Sequence, residues 1–430
     1  MGEVRSSIAP GNAADVAVIG AGAAGLMAAI WAGRKGESVI ALDGAKQLGA
    51  KILVAGGGRC NVTHHEVDEK QYAGSSRNAI RKVLRRFDVP ETVRFFNGLG
   101  VELKREETGK LFPVTDDAHT VLDALLGAVR AAGVRIAHPW RVLGVRRVAD
   151  GFEIHRDVER DKVSGERGET IVRAGRVILA TGGMALPRTG SDGGGYAIAK
   201  GFGHTVSERV FPALVPLLLQ SGHWITTLSG LTVNATLELH SATGKRLESF
   251  TNSTLCTHFG LSGPGVLDIS RYYTAAKEAD PGACMVMNWL PGEALEDVDE
   301  KLRNGGKLGI ARVLTEMVMP ERLARALCAA AQVDGSMLCH ALTREKRRGL
   351  AAIVAQSPLP ITGDRGFTFA EATAGGVPLS EIHLETMESR VCPGLYLCGE
   401  VLDVDGRVGG FNFQWAWSSG YVAGVGDGRP

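Results

Sequence analysis

Residues 15–30 read "DVAVIGAGAAGLMAAI", a strand pattern followed by a glycine-rich turn and a helix pattern. The apolar run that ends the segment Asp15–Ile19 predicts a short buried strand. Gly20, Gly22 and Gly25 follow with the spacing G-x-G-x-x-G. In this pattern the first glycine makes the tight turn, the second admits a pyrophosphate to the backbone, and the third lets the helix pack on the strand.

A second apolar strand, "SVIALD", completes a strand–helix–strand unit and ends at Asp43, 18 residues beyond Gly25. An acid at this position accepts hydrogen bonds from a ribose diol in dinucleotide-binding proteins. The N-terminus of the intervening helix offers unpaired N–H groups and a positive dipole to the phosphates. The alternative is a glycine-rich corner without a ligand, and the combination of strand, helix and acid leaves it little support. The unit therefore predicts a dinucleotide site.

The composition excludes several classes of protein. The 430 residues suffice for two or three domains, and 48 basic against 47 acidic side chains leave a net charge of +1. Because no global field results, neither nucleic acid nor a membrane is expected as a partner. Seven cysteines without a C-x-x-C pair argue against a disulfide scaffold, and no metal site is expected. Without an apolar run long enough to span a bilayer, the chain is expected to be cytoplasmic.

Two later strands end in glycine turns that are typical of flavoproteins. "GRVILATGG", residues 175–183, ends in Thr-Gly-Gly, and "PGLYLCGE", residues 393–400, ends in Gly-Glu. The pair Gly409–Gly410 then opens a helix for which Asn412 is the expected N-cap. The N–H groups of residues 411–414 are expected at the pyrimidine edge of a flavin, where a helix N-terminus stabilises the negative charge that forms on reduction.

The motifs GAGAAG, KILVAGGGRCNVT, ATGG, THFGLSGP, AGGV, TMESR and PGLYLCGEVLDVDG...GGFNFQWAWSSG together resemble the BaiN-like (YhiN-like) family of NAD(P)/FAD-dependent oxidoreductases, which includes aminoacetone-oxidase-like flavoproteins. The resemblance implies an α/β fold with a glutathione-reductase-type FAD-binding Rossmann domain built from both chain ends. It also implies an inserted β-rich domain and a small helical domain. The expected bounds are residues 1–205 and 351–430 for the FAD-binding domain, 206–290 for the β-rich insertion and 291–350 for the helical insertion.

The segment "KILVAGGGRCNVTH" carries three consecutive glycines followed by arginine, cysteine and asparagine. The resemblance implies that the glycine N–H groups lie against the flavin side of FAD. It implies that Lys51 and Arg59 balance phosphate or reduced-flavin charge, and that Asn61 and Thr63 fix the loop. Val142 is a candidate backbone contact to adenine by analogy with the family. The residues expected to contact FAD are Gly20, Gly22, Ala23, Ala24, Gly25, Asp43, Lys51, Gly57, Gly58, Arg59, Cys60, Asn61, Thr63, Val142, Ala180, Thr181, Gly182, Gly183, Gly399, Glu400, Asp403, Gly409, Gly410, Phe411, Asn412, Phe413 and Gln414.

Two side chains are candidates for chemistry. Cys60 is either a small residue packed near the cofactor or a redox or covalent thiol, and the absence of a nearby partner cysteine weakens the second interpretation. His258, within "CTHFGLSGPG", can supply or remove a proton, or it can be a structural residue that orients its loop. Trp415 and Trp417 are two apart in a helix and cannot share a face, so one is expected in the core and the other beside a planar substrate.

Three functions remain open from the sequence. The first is a reductase that uses FAD, with NAD(P)H as a transient co-substrate, on a small apolar unsaturated ketone such as a 3-oxo bile acid. The second is an oxidase of the aminoacetone type, which releases peroxide. The third is an FAD-dependent protein that binds or modifies tRNA, which the balanced charge disfavours. The basic cluster "REKRRG" and the arginines of "RNAIRKVLRRF" are interpreted as solvated helix faces.

Overall fold

The computed structural model describes residues 13–159 and 170–426. Within these ranges the strands are β1 (Ala13–Ile19), β2 (Val39–Leu42), β3 (Thr63–His64), β4 (Tyr72–Gly74), β5 (Leu103–Arg105), β6 (Lys110–Pro113), β7 (Arg135–Ala137), β8 (Val142–Val148), β9 (Gly151–Arg156), β10 (Ile171–Leu179), β11 (Phe211–Ala213), β12 (Leu217–Leu219), β13 (Thr232–His240), β14 (Arg246–Thr257), β15 (Gly260–Ser262), β16 (Cys284–Asn288), β17 (Ser357–Leu359), β18 (Ile361–Asp364), β19 (Ala372–Ala374), β20 (Ile382–His383), β21 (Glu388–Ser389), β22 (Leu395–Leu397) and β23 (Val404–Gly406). The α-helices are α1 (Ala23–Arg34), α2 (Ala50–Val54), α3 (Arg77–Leu84), α4 (Val89–Gly98), α5 (Ala118–Ala131), α6 (Gly194–Gly201), α7 (Pro264–Ala279), α8 (Leu295–Asn304), α9 (Ile310–Glu316), α10 (Glu321–Ala330), α11 (Arg344–Ala355) and α12 (Phe411–Val425).

The chain forms two units. Unit 1 contains the described residues up to Pro212 together with those from Glu371 onward, and unit 2 is Ala213–Ala370. The chain leaves unit 1 through β11 and returns through β19, and these two strands pair as a small sheet of their own. Unit 1 is therefore assembled from both ends of the chain, whereas unit 2 is one continuous segment.

The main sheet of unit 1 has a parallel centre. Strands β22, β10, β1, β2 and β7 run parallel in that order, and Val16 pairs with Arg176 on one side and Val39 on the other. Strand β9 extends the sheet antiparallel to β10, and β8 pairs with β9. Since parallel strands place their carboxyl ends at one edge of a sheet, the segments that follow β1, β2, β10 and β22 meet there.

Close contact between two helices joins the chain ends in unit 1. Helix α12 packs on α1, and Gly420 and Gly424 make the approach possible. A Cβ at Gly420 would lie 2.5 Å from the carbonyl oxygen of Ala24, and one at Gly424 would lie 2.5 Å from that of Ala28. Backbone-to-backbone packing of this kind requires residues without side chains.

Unit 2 is built on an antiparallel sheet with the order β17-β16-β13-β14-β15-β12-β18. Its core combines strand residues such as Leu237 and Met287 with helix residues such as Leu302 and Leu327. The sequence-based division at residues 206, 291 and 351 differs from this arrangement. Strands and helices share one core, the long helix α7 lies in the segment expected to be β-rich, and β17 and β18 complete the sheet after the last helix.

Of the helices in the described ranges, none is both long enough and apolar enough to cross a lipid bilayer.

Candidate functional site

The glycine turn after β1 has the geometry that its spacing predicts. Gly20 adopts a φ of +95°, which favours glycine, and it lies against the backbone of Ala180. A Cβ at Gly25 would overlap the carbonyl oxygen of Gly20, so helix α1 needs glycine there to pack on the turn. Gly22 caps α1, and a Cβ there would meet no described atom within 4 Å. The turn is therefore open at the helix N-terminus, where a phosphate group can approach.

Asp43 closes the same turn from the end of β2. Its Oδ2 accepts from the backbone N–H of Ala21 at 2.6 Å, and its Oδ1 accepts from that of Ala45 at 2.8 Å. A carboxylate has about four acceptor positions, so each oxygen keeps capacity for a further donor such as a ribose hydroxyl. The two backbone bonds hold the carboxylate beside the phosphate turn.

Glu400 connects three separate segments at the carboxyl edge of the sheet. Its Oε2 accepts from Lys51 Nζ at 2.7 Å and from the backbone N–H of Gly183 at 3.3 Å. Its Oε1 accepts from the N–H of Thr373 at 2.8 Å. This carboxylate therefore ties together α2, the turn after β10 and strand β19, and it pairs with the charge of Lys51.

The triple glycine follows α2, which includes Lys51, rather than continuing a loop from β2. Gly56, Gly57 and Gly58 have φ values of +58°, +70° and +88°, and Cys60 has a φ of +58°. Successive residues of this kind can turn their N–H groups to one side and form a concave binding surface. Cys60 is buried, and burial raises the pKa of its thiol to about 12. The thiol is therefore protonated at neutral pH and poorly suited to nucleophilic or redox chemistry.

The Arg59 side chain forms ion pairs with two nearby acidic residues. Its guanidinium lies 2.6 Å from Glu106 and 3.4 Å from Asp116, and it sits over the ring of Phe112 at 4.0 Å from the centroid. The hydrogen bond to Glu106, followed by the charges of both acids, raises its pKa. The positive charge of Arg59 is therefore balanced by these two acids. The family resemblance had instead implied that this charge balances phosphate or reduced flavin.

Helix α12 begins at a glycine and not at the expected asparagine. Gly410 is the N-cap, with a φ of +93°, and Gly409 precedes it with a φ of +135°. Asn412 instead lies in the first turn, where its side chain accepts from the N–H of Gly406 at 2.8 Å and donates to the Gly406 carbonyl at 2.9 Å. The N–H of Gln414 donates to Gly410, so the open donors of this terminus are those of residues 411–413.

The expectation that one tryptophan of α12 lines a pocket is wrong, because both are buried. Trp415 Nε1 donates to the Gly399 carbonyl at 3.1 Å, and Trp417 Nε1 donates to the Val62 carbonyl at 2.8 Å. Each indole thus fixes one of the loops around the site. Gln414 is buried as well, and its Oε1 accepts from Thr63 Oγ1 at 2.7 Å.

The remaining predicted residues are Val142, Asp403 and His258. Val142 opens β8 and packs partly buried against the unit 1 core. Asp403 follows the Gly-Glu turn, and its backbone N–H donates to Val377 at 2.8 Å. His258 belongs to unit 2, where it is exposed in the turn between β14 and β15 and meets the ring of Phe259 edge-on.

Tyr196 is a further candidate site residue, which the sequence motifs did not predict. It lies on α6 with its hydroxyl buried and without a hydrogen-bond partner among the described residues. Burial, and then the charges of Glu400 and Asp403, raise the pKa of this hydroxyl well above its ordinary value, so it remains a donor. The only available signal was the glycine turn "SDGGG" ahead of α6.

Unpartnered polar atoms provide a test of whether a cofactor fits here. Among the described residues, six buried side-chain polar atoms have no partner, and three of them, Asn61 Oδ1, Thr181 Oγ1 and the Tyr196 hydroxyl, belong to the segments described above. The other three are ring nitrogens of Trp31, His223 and Trp289. The first three belong to the glycine segment, the turn after β10 and the helix beside it. Buried polar groups normally have partners, so three orphans around an open phosphate turn fit a polar ligand of dinucleotide type.

A Rossmann sheet with this phosphate turn defines a nucleotide-binding enzyme, and the protein is an FAD-dependent oxidoreductase. The chain belongs to the HI0933-like family, whose Rossmann-domain model matches residues 14–426. This match confirms the resemblance drawn from the motifs.

Three curated relatives are similar along nearly their whole length. The chain is 34% identical over 415 residues to the 3-dehydro-bile acid delta(4,6)-reductase of Clostridium scindens, covering 95% of this chain and 98% of the relative. It is 32% identical over 410 residues to the ribosomal RNA dihydrouridine synthase of Escherichia coli, covering 95% and 96%. It is 30% identical over 407 residues to the protein of the same name from Haemophilus influenzae, covering 94% and 96%.

Proposed function

We propose that this protein is a reductase that saturates a carbon–carbon double bond conjugated to a carbonyl group. The observation that carries the proposal is the reaction common to its relatives. The delta(4,6) double bonds of a 3-oxo bile acid are conjugated to its ketone, and the bond that is saturated in dihydrouridine is conjugated to a ring carbonyl of uracil. Conjugation matters because the carbonyl accepts the negative charge that develops when a hydride adds to the far carbon.

The residues of unit 1 have distinct roles in this proposal. FAD, when bound, supplies the hydride chemistry. The turn at Gly20 and Gly22 and the α1 terminus bind the pyrophosphate, and Asp43 binds the ribose. The open N–H groups at the start of α12 would stabilise the negative charge at the pyrimidine end of the flavin ring. Lys51, which is held by Glu400 at 2.7 Å, would balance the charge of the pyrophosphate or of the reduced flavin.

NAD(P)H is the proposed source of electrons. The sequence carries one G-x-G-x-x-G fingerprint, so no second dinucleotide domain of this type is expected. The nicotinamide would therefore bind beside the flavin, reduce it and leave before the substrate binds at the same place. This order of events predicts ping-pong kinetics. His258 is the proposed proton donor, because an imidazole can deliver the proton that the adjacent carbon needs after hydride addition.

The first test is anaerobic reduction of the purified yellow protein. We expect NADPH or NADH to bleach the visible flavin band, and an enone such as a 3-oxo-Δ4 steroid to restore it with a product two hydrogens heavier. Colour that returns only with oxygen, together with stoichiometric peroxide during amine turnover, would instead identify an oxidase.

A pair of glycine variants tests the proposed cofactor site in the same assay. Gly22→Val introduces a side chain at ordinary φ where no described atom is near, so the fold should survive while the phosphate approach is blocked. We expect FAD affinity to fall at least about tenfold, or about 1.4 kcal/mol. Gly127→Ala, in α5 and equally open among the described atoms, is the matched control and should bind FAD normally. Equal FAD binding by both variants would remove the phosphate turn from the site.

A further inference from the structure

His64 ends the glycine segment "KILVAGGGRCNVTH" and lies beside the start of α12. It is the second residue of β3, directly after Thr63. Its ring stacks on the ring of Phe411, with the centroids 5.0 Å apart and the planes inclined by 21°. Phe411 is the first residue of α12, and its N–H is one of the open donors of that terminus. The imidazole therefore lies at the helix end that is proposed to stabilise reduced flavin.

Both ring nitrogens of His64 have backbone partners. Nδ1 lies 2.9 Å from the carbonyl oxygen of Glu66 and 3.2 Å from its backbone nitrogen, and Nε2 lies 3.1 Å from the carbonyl oxygen of Thr108. In the neutral imidazole, Nε2–H donates to Thr108 while Nδ1 accepts from the N–H of Glu66. In the imidazolium, both nitrogens donate to the two carbonyl groups. The ring can therefore gain or lose a proton while its partners stay in place.

The turn of the β5–β6 hairpin packs closely against His64 and the neighbouring His65. A Cβ at Gly109 would lie 2.6 Å from His64 Nε2 and 2.4 Å from His65 Nδ1, so this turn needs glycine. In His65, Nε2 lies 2.8 Å from the guanidinium of Arg105 and Nδ1 lies 3.3 Å from the carbonyl oxygen of Gly109. A guanidinium can only donate, so the neutral form of His65 satisfies both of its nitrogens. Of the two rings, His64 is the one whose partners suit either form.

The charged residues around His64 include both signs. Strand β3 packs against α12, the β5–β6 hairpin and α4, and α12 carries no charged residue. The charged residues of the other two elements, of the segment after β3 and of the loop before α12 are Glu66, Glu91, Arg94, Lys104, Arg105, Glu106, Glu107, Lys110 and Arg407. These charges nearly cancel, and the positive N-terminus of α12 disfavours a further positive charge beside it. An anion that binds at this terminus would reverse that preference and favour the imidazolium.

We propose that His64 takes up a proton when bound FAD is reduced, and that its charge balances the negative charge at the pyrimidine end of the flavin. This inference rests on the proposed function, which places that end of the flavin at α12. NAD(P)H gives a hydride to the flavin and leaves as NAD(P)+, while His64 takes one proton from solvent. His64 returns this proton to solvent when the hydride passes to the enone, which takes its own proton from the donor. His64 thus acts through its charge and leaves the overall reaction unchanged.

The test counts the protons that the intact FAD-loaded protein takes up with each pair of electrons. Xanthine and xanthine oxidase reduce the flavin in equilibrium with a dye of known potential, so neither NAD(P)H nor an enone is needed. The slope of the flavin potential against pH gives the proton count. His64→Gln keeps an amide that can donate to Thr108 but cannot titrate. His119→Gln, at an exposed position of α5 in unit 1, is the matched control.

Near neutral pH, where an imidazole titrates, we expect about two protons per pair of electrons in the unchanged protein and in His119→Gln. One proton accompanies the electrons onto the flavin and the other is bound by His64, so His64→Gln should take up about one. His64→Lys carries a fixed charge, so it should also take up about one but be reduced about tenfold more readily than His64→Gln. About one proton in the unchanged protein, or about two in His64→Gln, would overturn the proposal. If His64→Gln does not retain FAD, about two protons in His64→Lys would overturn it.

Separate readouts distinguish this inference from the proposed function. If an enone reoxidises the reduced flavin but the proton count is the same with and without His64, the role of His64 is wrong and the reductase stands. If the proton count falls in His64→Gln but neither nicotinamide nucleotide nor an enone reacts, the reductase is wrong and the role of His64 stands. A merely structural role of His64 would change the thermal midpoint and the FAD affinity but not the proton count.

Discussion

Tyr196 is a single residue whose buried hydroxyl lowers the stability of the folded protein. Its hydroxyl is buried without a partner in the described chain, and such a group costs roughly 1–3 kcal/mol of folding free energy. This cost is explained if the hydroxyl donates a hydrogen bond to FAD when the cofactor binds. A protonated tyrosine is suited to this role, because burial and nearby Glu400 keep its pKa high.

The variant Tyr196→Phe tests both the folding cost of the buried hydroxyl and its proposed hydrogen bond to FAD. Removing an unpaired hydroxyl should leave the FAD-free protein as stable as before or more stable, measured as its thermal midpoint. The same change should weaken FAD about three- to tenfold, since a net hydrogen bond contributes about 1 kcal/mol. Tyr273→Phe in unit 2 is the control with unchanged FAD affinity. Unchanged affinity in Tyr196→Phe as well would exclude this hydroxyl from the cofactor site.

Residues of the site differ in how far the sequence predicts them. Gly20, Gly22 and Gly25 were predictable because their roles depend on spacing within one strand–turn–helix unit. Lys51 and Glu400 are 349 positions apart along the chain, so no local sequence pattern predicts the hydrogen bond between them. The sequence could name both as cofactor residues only through the family motifs.

At the scale of elements, α12 shows how tertiary contacts override local preference. Asparagine is a favoured N-cap, which made Asn412 the local expectation. In the structure its amide closes the loop from Gly406, and the cap passes to Gly410. The spacing of Trp415 and Trp417 also led to the expectation that one ring is exposed. That expectation holds only for a helix that is buried on one side. Helix α12 is buried on nearly all sides, so both rings are enclosed.

The start of α12 depends on glycine at position 410. A Cβ there would lie 2.6 Å from the carbonyl carbon of Thr63, and the φ of +93° is unfavourable for alanine. Gly410→Ala should therefore cost about 1–3 kcal/mol from backbone strain alone. We expect a lower thermal midpoint and weaker FAD binding, whereas Gly127→Ala in α5 should be neutral or stabilising. A Gly410→Ala protein with unchanged stability and affinity would show that α12 need not begin there.

At the scale of the whole molecule, every residue proposed to contact FAD lies in unit 1. The family resemblance implied an FAD domain formed from both chain ends. The edges of the insertion were expected at 206 and 350, whereas the structural units divide at Ala213 and Ala370. The difference arises because β17 and β18 pair with β16 and β12, and such distant pairings leave no local signal.

This division predicts that unit 1 folds and binds FAD by itself. Strands β11 and β19 are neighbours in a two-stranded sheet, so their backbones lie about 5 Å apart and a short Gly-Ser linker can replace residues 214–370. We expect the shortened protein to purify with bound FAD and to unfold cooperatively, measured by flavin absorbance and thermal melting. The same deletion carrying Gly22→Val should be folded but colourless. A shortened protein that fails to fold would show that unit 1 depends on the insertion.

The paired strands β11 and β19 also bear on how such enzymes diversify. A segment that leaves and returns through one pair of neighbouring strands is an exchangeable cassette, since its replacement leaves the register of the parent sheet untouched. Grafting the corresponding cassette of a bile acid reductase or of an RNA-modifying relative onto this cofactor frame requires only two junctions. Recombination at these two junctions can therefore exchange unit 2 while the sheet and the phosphate turn of unit 1 are inherited unchanged.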